Sequence, residues 1–260
     1  MIARDLRAAA RGAAFLGTTV GLWACLDVDT LVSARDRREA LLHAWVVRWA
    51  RSLLRIFDVQ LDARGLFVEQ GNAYPGGGNA GIGRVFVMNH RSGMDIPIAF
   101  AVAEAHLVSR HDLAAWPLIG RGARRLGTLF VDRSSMRSGA TVLKAMTRTL
   151  RNGCGVTIFP EGTAFAGDQV RPFRPGAFNA AIRTGADIVP LGIAYGDEAA
   201  MFGDETFPTH MRRVSALPEL RVALDVGTPI ASKDKTVSEL RDETRARVQT
   251  LVHQARARLG

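Results

Sequence analysis

The sequence predicts an α/β fold, in which a mostly parallel central sheet is flanked by layers of helices and follows N-terminal apolar and amphipathic helices. Short apolar runs alternate with helical patterns from about residue 85 onward. Such alternation is typical of strands that are buried between helices. No linker divides this part of the chain, and 260 residues are enough to bury a substantial core.

The order of elements follows from these patterns. Apolar runs predict strands at residues 85–88, 156–159, 188–193 and 222–226. Helical patterns between and around them cover residues 95–105, 112–126, 136–151 and 175–184. A final helix is expected to begin at the capping box Thr236–Glu239, because a threonine and a glutamate three positions later satisfy free backbone donors.

Two helical segments are expected before this domain. Residues 12–26 are uncharged, but a bilayer span needs about 20 apolar residues, so this run indicates insertion from one side or burial against the domain. Residues 33–57 place Trp45 and Trp49 on one apolar face with arginines around it. That pattern suits a helix packed on the core or one lying in a bilayer interface. We therefore predict a membrane-associating segment at 1–60 and a catalytic domain at 61–260.

The charge balance narrows the partners. Thirty-four Lys+Arg against 25 Asp+Glu give a net charge of +9, which favours an anionic membrane, a phosphate-bearing substrate or nucleic acid. Nucleic acid is not expected, because no basic segment is interleaved with stacking aromatics and no DNA-binding motif occurs. Cys25 and Cys154 are far apart and lack ligand-like spacing, so no metal site is expected.

The sharpest candidate site is Asn89–Asp95. His90 follows the strand at 85–88, and Asp95 opens a helix with Pro97 in its first turn. At this place Asp95 can hold one ring nitrogen of His90 while the other nitrogen accepts a proton from a hydroxyl. The spacing alone equally allows Asp95 to cap its helix and His90 to be a turn residue. No Gly-x-Ser-x-Gly motif occurs, so direct attack by a substrate hydroxyl is the simpler scheme.

Three later segments add to this site. Gly127–Arg133 ends in an Asp-Arg pair, and Phe159–Thr163 reads Phe-Pro-Glu-Gly-Thr after a strand. Val189–Ile193 contains a proline inside an apolar strand, where proline is normally confined to an edge or a bulge. Together with His-x4-Asp, these blocks resemble the glycerolipid (lysophosphatidate) acyltransferase family, which has four such blocks in this order. The resemblance spans about residues 85–195.

The resemblance implies an O-acyltransferase of phospholipid biosynthesis. His90 would deprotonate the free hydroxyl of a lysolipid, with Asp95 as its orienting partner. The hydroxyl would attack the acyl thioester of acyl-CoA or acyl carrier protein, without a metal or other cofactor. The enzyme would act on the cytoplasmic face of the cell membrane as a peripheral or monotopic protein.

The resemblance also assigns the substrate-binding residues. Arg133 of the second block would bind the acceptor's phosphate, because a planar guanidinium matches phosphate oxygens. Glu161, Gly162 and Thr163 of the third block would line the acceptor site, and Pro190 of the fourth would belong to the acyl site. The remaining histidines, among them His210, have no motif around them and are expected to be structural or exposed.

One position departs from the family pattern. Many lysophosphatidate enzymes continue the third block with an arginine, whereas this chain has Ala164. Arg171 or Arg174 could supply the missing cation, and Arg174 is our candidate. The departure keeps a lyso-ornithine lipid as an alternative acceptor to lysophosphatidate. Alternatives of another class are a thioester or lipid hydrolase with the same His–Asp couple and a non-enzymatic basic membrane-binding protein.

Overall fold

The computed structural model describes residues 2–34, 37–110, 120, 128–131 and 136–260. Within these residues the strands are Val59–Arg64 (β1), Val85–Met88 (β2), Ala105–Arg110 (β3), Leu129–Val131 (β4), Gly155–Ile158 (β5), Ile188–Tyr195 (β6) and Leu220–Val226 (β7). The helices are Ile2–Val32 (α1), Arg38–Ile56 (α2), Asp95–Val102 (α3), Met136–Arg151 (α4), Gly176–Thr184 (α5), Phe207–Ala216 (α6) and Val237–Ala257 (α7).

The strands form one seven-stranded sheet in the order β1-β7-β6-β2-β5-β3-β4. Every neighbouring pair is parallel except β6 and β7, which are antiparallel. The predicted mostly parallel sheet flanked by helices is therefore confirmed. Because parallel strands end at the same edge of the sheet, the loops after β2 and β5 lie side by side, and these loops carry the first and third sequence blocks.

The two faces of the sheet are covered by different helices. Phe86, Met88 and the odd-numbered residues of β6 pack into a core that includes residues of α2 and α3. Val85, Val87 and Ile188 face the other way, into a core with residues of α4, α5 and α7. Strands buried on both faces explain why the runs in the sequence are continuously apolar.

The element boundaries show where the sequence pattern was incomplete. The helix expected at 95–105 ends at Val102, because Ala103 is extended and β3 begins at Ala105. Strands β1, β3 and β4 and helix α6 were not predicted. The half-buried strand β1 alternates apolar and polar residues, which is a strand pattern. With only six residues, this alternation is a weak signal in the sequence. The helix expected at 112–126 lies almost wholly outside the described residues.

The apolar run at 12–26 is part of a longer helix. α1 is continuous from Ile2 to Val32, and its length and composition are sufficient to cross a membrane. Only 11% of its apolar window is buried in the protein. The large apolar side chains that α1 exposes are Ile2, Leu6, Leu16, Val20, Val28, Leu31 and Val32.

α1 is nevertheless attached to the rest of the protein. Trp49 of α2 donates a hydrogen bond from Nε1 to Thr19 Oγ1 at 3.1 Å. Arg7 and Arg11 donate to backbone carbonyls at and just after the C-terminal end of α6, among them Ala216 O at 2.9 Å and Pro218 O at 3.0 Å. One side of the helix therefore contacts the domain, while another side presents apolar residues to the surroundings. The proposed boundary between 1–60 and 61–260 stays a prediction.

Candidate active site

The loop between β2 and α3 begins with Asn89, which fastens the strand end to β6. Its side chain donates to Ile193 O at 2.9 Å and accepts from Ile193 N at 2.9 Å. These two bonds continue the sheet pairing after Met88, the last residue of β2 that pairs with β6. The next residue, His90, therefore starts from a fixed position at the edge of the sheet.

His90 and Asp95 form the hydrogen-bonded couple that the sequence predicts. His90 Nδ1 lies 2.7 Å from Asp95 Oδ2, and the same oxygen accepts backbone hydrogen bonds from Arg91 N at 2.6 Å and Ser92 N at 2.9 Å. Tyr195 donates its hydroxyl to Asp95 Oδ1 at 2.6 Å. The Asp95 side chain is fully buried. A buried carboxylate with these donors is held in one orientation, and it orients the imidazole in turn.

Tyr195 stays protonated in this arrangement. Burial raises the pKa of its phenol well above the ordinary value, and the charge of Asp95 raises it further. The phenol is therefore a permanent donor to the carboxylate. Because Asp95 accepts from Nδ1 of His90, the imidazole proton lies on Nδ1 and the lone pair of Nε2 is available.

Nε2 of His90 is the open end of the couple. The imidazole is 18% exposed and stacks on Phe159, with ring centroids 4.3 Å apart and an interplanar angle of 18°. Among the described residues, none donates a hydrogen bond to Nε2. A substrate hydroxyl that reaches this atom meets a base whose protonated form the Asp95 carboxylate stabilises.

Glu161 lies beneath the same loop and is occupied by the protein. Its Oε2 accepts from His90 N at 2.7 Å and Arg91 Nη1 at 2.9 Å, and its Oε1 accepts from Arg171 N at 2.8 Å. The carboxylate is fully buried and forms an ion pair with the equally buried Arg91. These contacts give Glu161 a role in holding the His90 loop, and its predicted part in acceptor binding stays a prediction.

Arg91 was missed by the sequence analysis. Its guanidinium is 1% exposed and also donates to His90 O and to Gln169 O, so it joins the first block to the segment after the third. An arginine in a polar loop is ordinarily exposed, so the sequence does not indicate that Arg91 is buried. Its role becomes visible only through its ion pair with the buried Glu161.

The structure brings Arg174 to the glycine of the third block. Gly162 has φ +90°, and a Cβ there would lie 2.6 Å from Arg174 Nε, so the glycine leaves room for this side chain. Thr163 and Arg174 are both exposed beside it. The guanidinium of Arg171 lies 3.5 Å from the ring centroid of Phe165, whose N donates to His90 O at 3.1 Å.

Of the two remaining predicted residues, only Pro190 is described. Arg133 lies outside the described residues. Pro190 lies in β6 opposite Val87, on the side of the sheet where Gly192 contacts Leu251 of α7.

The strand accommodates Pro190 at a bulge. Leu191 pairs with Val226, whereas Ile188 pairs with Ile230, so the strand opposite β6 has one extra residue between these pairs. A bulge is a place where a strand tolerates a proline, since a ladder hydrogen bond is already missing. The bulge alone accounts for a proline at position 190. The predicted part of Pro190 in the acyl site therefore stays a prediction.

His210 of α6 is a further buried residue beside the loop. Its Nε2 accepts from Gly93 N at 3.0 Å and lies 3.2 Å from Ser92 Oγ. Its Nδ1 lies 3.2 Å from Glu205 Oε1. No sequence motif marks this histidine, because its contacts to the loop join residues far apart in the chain.

Comparison with known proteins decides the family. A family model described as acyltransferase matches residues 72–194, which contain the His90–Asp95 couple, Glu161 and Pro190. Residues 72–194 therefore form an acyltransferase domain.

Similar proteins carry two kinds of name. The acyltransferase is 26% identical over 214 residues to the 1-acyl-sn-glycerol-3-phosphate acyltransferase of Neisseria meningitidis serogroup B, covering 80% of each chain. It is 31% identical over 162 residues to the lyso-ornithine lipid O-acyltransferase of Pseudomonas aeruginosa, covering 60% of this chain and 62% of the relative.

The fold also has a solved counterpart. The crystal structure of the 1-acyl-sn-glycerophosphate acyltransferase PlsC from Thermotoga maritima matches with a TM-score of 0.69 and 18% identity. The match covers 95% of this chain and 98% of the other, so the likeness extends to the N-terminal helices.

The acyltransferase also has an apolar cavity of about 680 Å3 beside the loop. It lies between α1, α2, α3 and α6 and reaches Gly93 and Met94, three and four residues after His90 in the chain. Its apolar lining includes Phe15, Leu22, Trp49, Ile96, Phe100, Phe207 and Met211. An apolar space of this size beside the His90 loop is suited to a hydrocarbon chain.

Within the described part of the chain, no group of three or more His, Cys, Asp or Glu side chains is arranged to hold a metal ion.

Proposed function

We propose that this acyltransferase moves a fatty acyl group from the thioester of acyl-CoA or acyl carrier protein to the free hydroxyl of a lysolipid, as a step of membrane phospholipid biosynthesis. The observation that carries the proposal is the His90–Asp95 couple, in a loop whose Gly93 and Met94 line a large apolar cavity. Both named relatives are acyltransferases whose names state a lysolipid, which supports the same class of acceptor here.

The proposed chemistry needs one base and no covalent enzyme intermediate. Nε2 of His90 takes the proton of the acceptor hydroxyl while its oxygen attacks the thioester carbonyl. Asp95 stabilises the imidazolium that forms. When the C–S bond breaks, the imidazolium returns the proton to the leaving thiolate. The products are the acylated lipid and a free thiol.

The acyl chain is expected to lie in the cavity beside Met94. Gly12 of α1 lines this cavity, and a Cβ at Gly12 would meet nothing within 4 Å. Gly12→Phe should therefore add an aromatic ring to the space without a backbone clash. We expect the rate with a long-chain acyl donor to fall by about tenfold or more, and the rate with a short-chain donor to change little. Equal losses with both donors would contradict this location.

Lysophosphatidate is the first candidate acceptor, because it is the acceptor in the name of the Neisseria relative and the sequence blocks resemble that class. The second candidate is a lyso-ornithine lipid. It is favoured by Ala164, which leaves the third block without its usual cation, and by the 31% identity to the Pseudomonas relative.

The test is thiol release from one labelled acyl donor, measured with no acceptor, with lysophosphatidate and with a lyso-ornithine lipid. We expect release to depend on added lysolipid. Release at the same rate without an acceptor would support a hydrolase and contradict the proposal. A faster rate with the lyso-ornithine lipid would select the second candidate.

Arg174 is the proposed headgroup cation. Arg174→Ala is expected to raise the KM for a phosphate-headed lysolipid by about tenfold, since a guanidinium–phosphate contact contributes roughly 1.5–3 kcal/mol. Arg183→Ala is the matched control, because this exposed arginine lies at the opposite end of α5. Equal KM values in the two variants would exclude Arg174 from headgroup binding.

We further propose that the enzyme binds the cytoplasmic face of the membrane through the exposed apolar side of α1. Leu16 and Val20 are 53% and 55% exposed one helical turn apart. Replacing both by serine should weaken binding to vesicles containing anionic lipid, because about 25 cal/mol is lost for each Å2 of apolar surface no longer buried. Leu66→Ser, at an equally exposed leucine outside α1, is the control. Equal vesicle binding by the two variants would contradict an α1 contact.

A further inference from the structure

His210 is buried against Ser92 and Gly93 of the loop that carries His90. It lies in α6, has no exposed surface, and stacks on Phe202 with ring centroids 3.9 Å apart and an interplanar angle of 14°. One ring nitrogen faces Ser92 and Gly93 of the loop, and the other faces Glu205. Both nitrogens of His210 are therefore engaged by the protein, whereas in His90 only Nδ1 has a partner among the described residues.

The hydrogen bonds fix the protonation of this ring. A backbone N–H can only donate, so the bond from Gly93 N makes Nε2 of His210 the acceptor. The ring proton is then on Nδ1 and points to Glu205, which is also paired with Arg213. Burial lowers the pKa of His210, although the hydrogen bond to Glu205 opposes this effect. The ring is therefore neutral at physiological pH.

The part of the loop that His210 contacts is the part that supports Asp95. Arg91 N and Ser92 N both donate to Asp95 Oδ2, and Phe202 N donates to Arg91 O at 2.7 Å. Ser92 and its neighbour Gly93 are in turn the residues that meet Nε2 of His210. A shift of this turn would move two of the donors that hold the Asp95 carboxylate.

Gly93 allows α6 to come this close. A Cβ at Gly93 would lie 2.6 Å from Met211 Sδ and 3.0 Å from Phe207 Cε2, both in α6. At Gly93 the backbone of the loop therefore lies directly against side chains of α6. Such direct contact transmits the position of the imidazole to the turn.

We propose that His210 is a positioning residue of this active site, which accepts the Gly93 N–H and so holds the turn that orients Asp95 toward His90. This inference rests on the proposed function, because it assumes that His90 and Asp95 are the catalytic couple. It requires the acceptor at Nε2 and the bulk of the ring, and it requires no proton transfer by His210 itself.

The test compares three folded variants for kcat, KM and thermal unfolding. His210→Phe keeps the ring that stacks on Phe202 but removes the acceptor. His210→Gln keeps an acceptor at about the position of Nε2. Val214→Ala, one turn further along α6, removes buried apolar volume and none of the hydrogen bonds to the loop, so it controls for a loss of stability alone.

We expect His210→Phe to lower kcat by about ten- to hundredfold with KM values nearly unchanged, because a small displacement of catalytic groups has effects of this size. His210→Gln should recover most of that loss, and Val214→Ala should lower the unfolding temperature while keeping kcat. A wild-type kcat in folded His210→Phe would overturn the proposal. Equal defects in the Phe and Gln variants would overturn it too.

Ser92→Ala decides the question if His210→Phe does not fold. It removes only the hydroxyl that lies beside Nε2, and we expect kcat to fall by about threefold or more with unchanged KM. A wild-type kcat would contradict the proposal. His90→Ala separates the two levels of inference: if it stays active, the catalytic couple itself is wrong, whereas an inactive His90→Ala with a normal His210→Phe rejects only the positioning role.

Discussion

Two histidine–carboxylate couples lie on opposite sides of the turn at residues 91–93, and they differ in what their second nitrogen meets. In the couple of His90 and Asp95, the carboxylate is buried and Nε2 opens toward substrate. In the couple of His210 and Glu205, the imidazole is buried and Nε2 is occupied by the turn itself. We therefore propose that the same pair of groups serves proton transfer in one place and the support of a loop in the other.

The carboxylates differ as well. Asp95 accepts from backbone and side-chain donors and its side chain is fully enclosed. Glu205 is 16% exposed, and the hydrogen bond from Arg213 is the main cause of its lowered pKa. A histidine that must gain a proton during turnover needs a carboxylate beside it that is not already paired with another cation. A histidine that stays neutral needs only an acceptor.

The largest difference between the couples is expected when each carboxylate becomes an amide. Asp95→Asn should lower kcat by about 10³–10⁴-fold, because the amide cannot stabilise the imidazolium and disfavours the required tautomer. Glu205→Gln should lower kcat by less than about threefold, since the amide oxygen still accepts from Nδ1 of His210. Steady-state rates at saturating substrates measure both. Similar losses in the two variants would remove the distinction.

A second prediction concerns the ion pair beneath the first couple. Glu161→Gln leaves the buried Arg91 guanidinium without its counter-charge, so the free energy of unfolding should fall by about 3–5 kcal/mol. Urea unfolding of the variant and wild type measures this loss. Glu243→Gln is the control, because its pair with Lys235 is partly exposed and should contribute less than about 1 kcal/mol. If the two substitutions cost the same, the buried pair does not stabilise the loop.

Tyr195 tests the hydrogen bonds to Asp95 separately from its charge. Tyr195→Phe removes the donor to Asp95 Oδ1 and keeps the buried ring, so kcat should fall by about tenfold, in line with the 1.5–3 kcal/mol of a hydrogen bond to a charged group. The pH dependence of kcat shows whether His90 has changed its basicity. An unchanged rate and pH profile would mean that the backbone donors alone hold the carboxylate.

The smallest expected effect is on the pH dependence of stability. Burial lowers the pKa of His210 in the folded protein, so the unfolded chain takes up a proton that the folded chain does not as pH falls below about 6.5. Folding stability should therefore decrease with falling pH in this window. His210→Gln should remove that part of the decrease, as measured by thermal unfolding between pH 7.5 and 5, roughly the range in which a histidine titrates. The same slope in wild type and variant would mean that His210 does not titrate in this way.

The couple of His90 and Asp95 could be predicted from the sequence, whereas the couple of His210 and Glu205 could not, and the reason is physical. His90 and Asp95 are joined by a short loop between a strand and a helix, so their spacing carries the geometry. His210 reaches Gly93 only after α6 packs on the far side of the loop, and nothing near His210 in the chain marks that contact. The extra residue opposite Pro190 was equally hidden, because a bulge depends on the pairing of two strands.

The uncharged run at residues 12–26 predicts a shorter segment than the helix Ile2–Val32 that the structure has. The helix continues through charged residues at both ends, and Arg7 and Arg11 are used to bind the carbonyls beyond α6. Charged residues with partners in the domain do not end a helix. The mostly parallel sheet could be predicted, since its buried strands leave continuous apolar runs in the sequence.

The central claim is that His90 is the base of an acyl transfer to a lysolipid, and the most direct measurement is the rate of transfer by folded His90→Ala. The wild-type rate with the best lysolipid acceptor serves as reference, and circular dichroism establishes that the variant is folded. We expect a rate at least about 10³-fold lower at every pH tested, because no group remains to accept the proton of the acceptor hydroxyl as its oxygen attacks the thioester. A rate within about tenfold of wild type would contradict the assignment of His90 as the catalytic base.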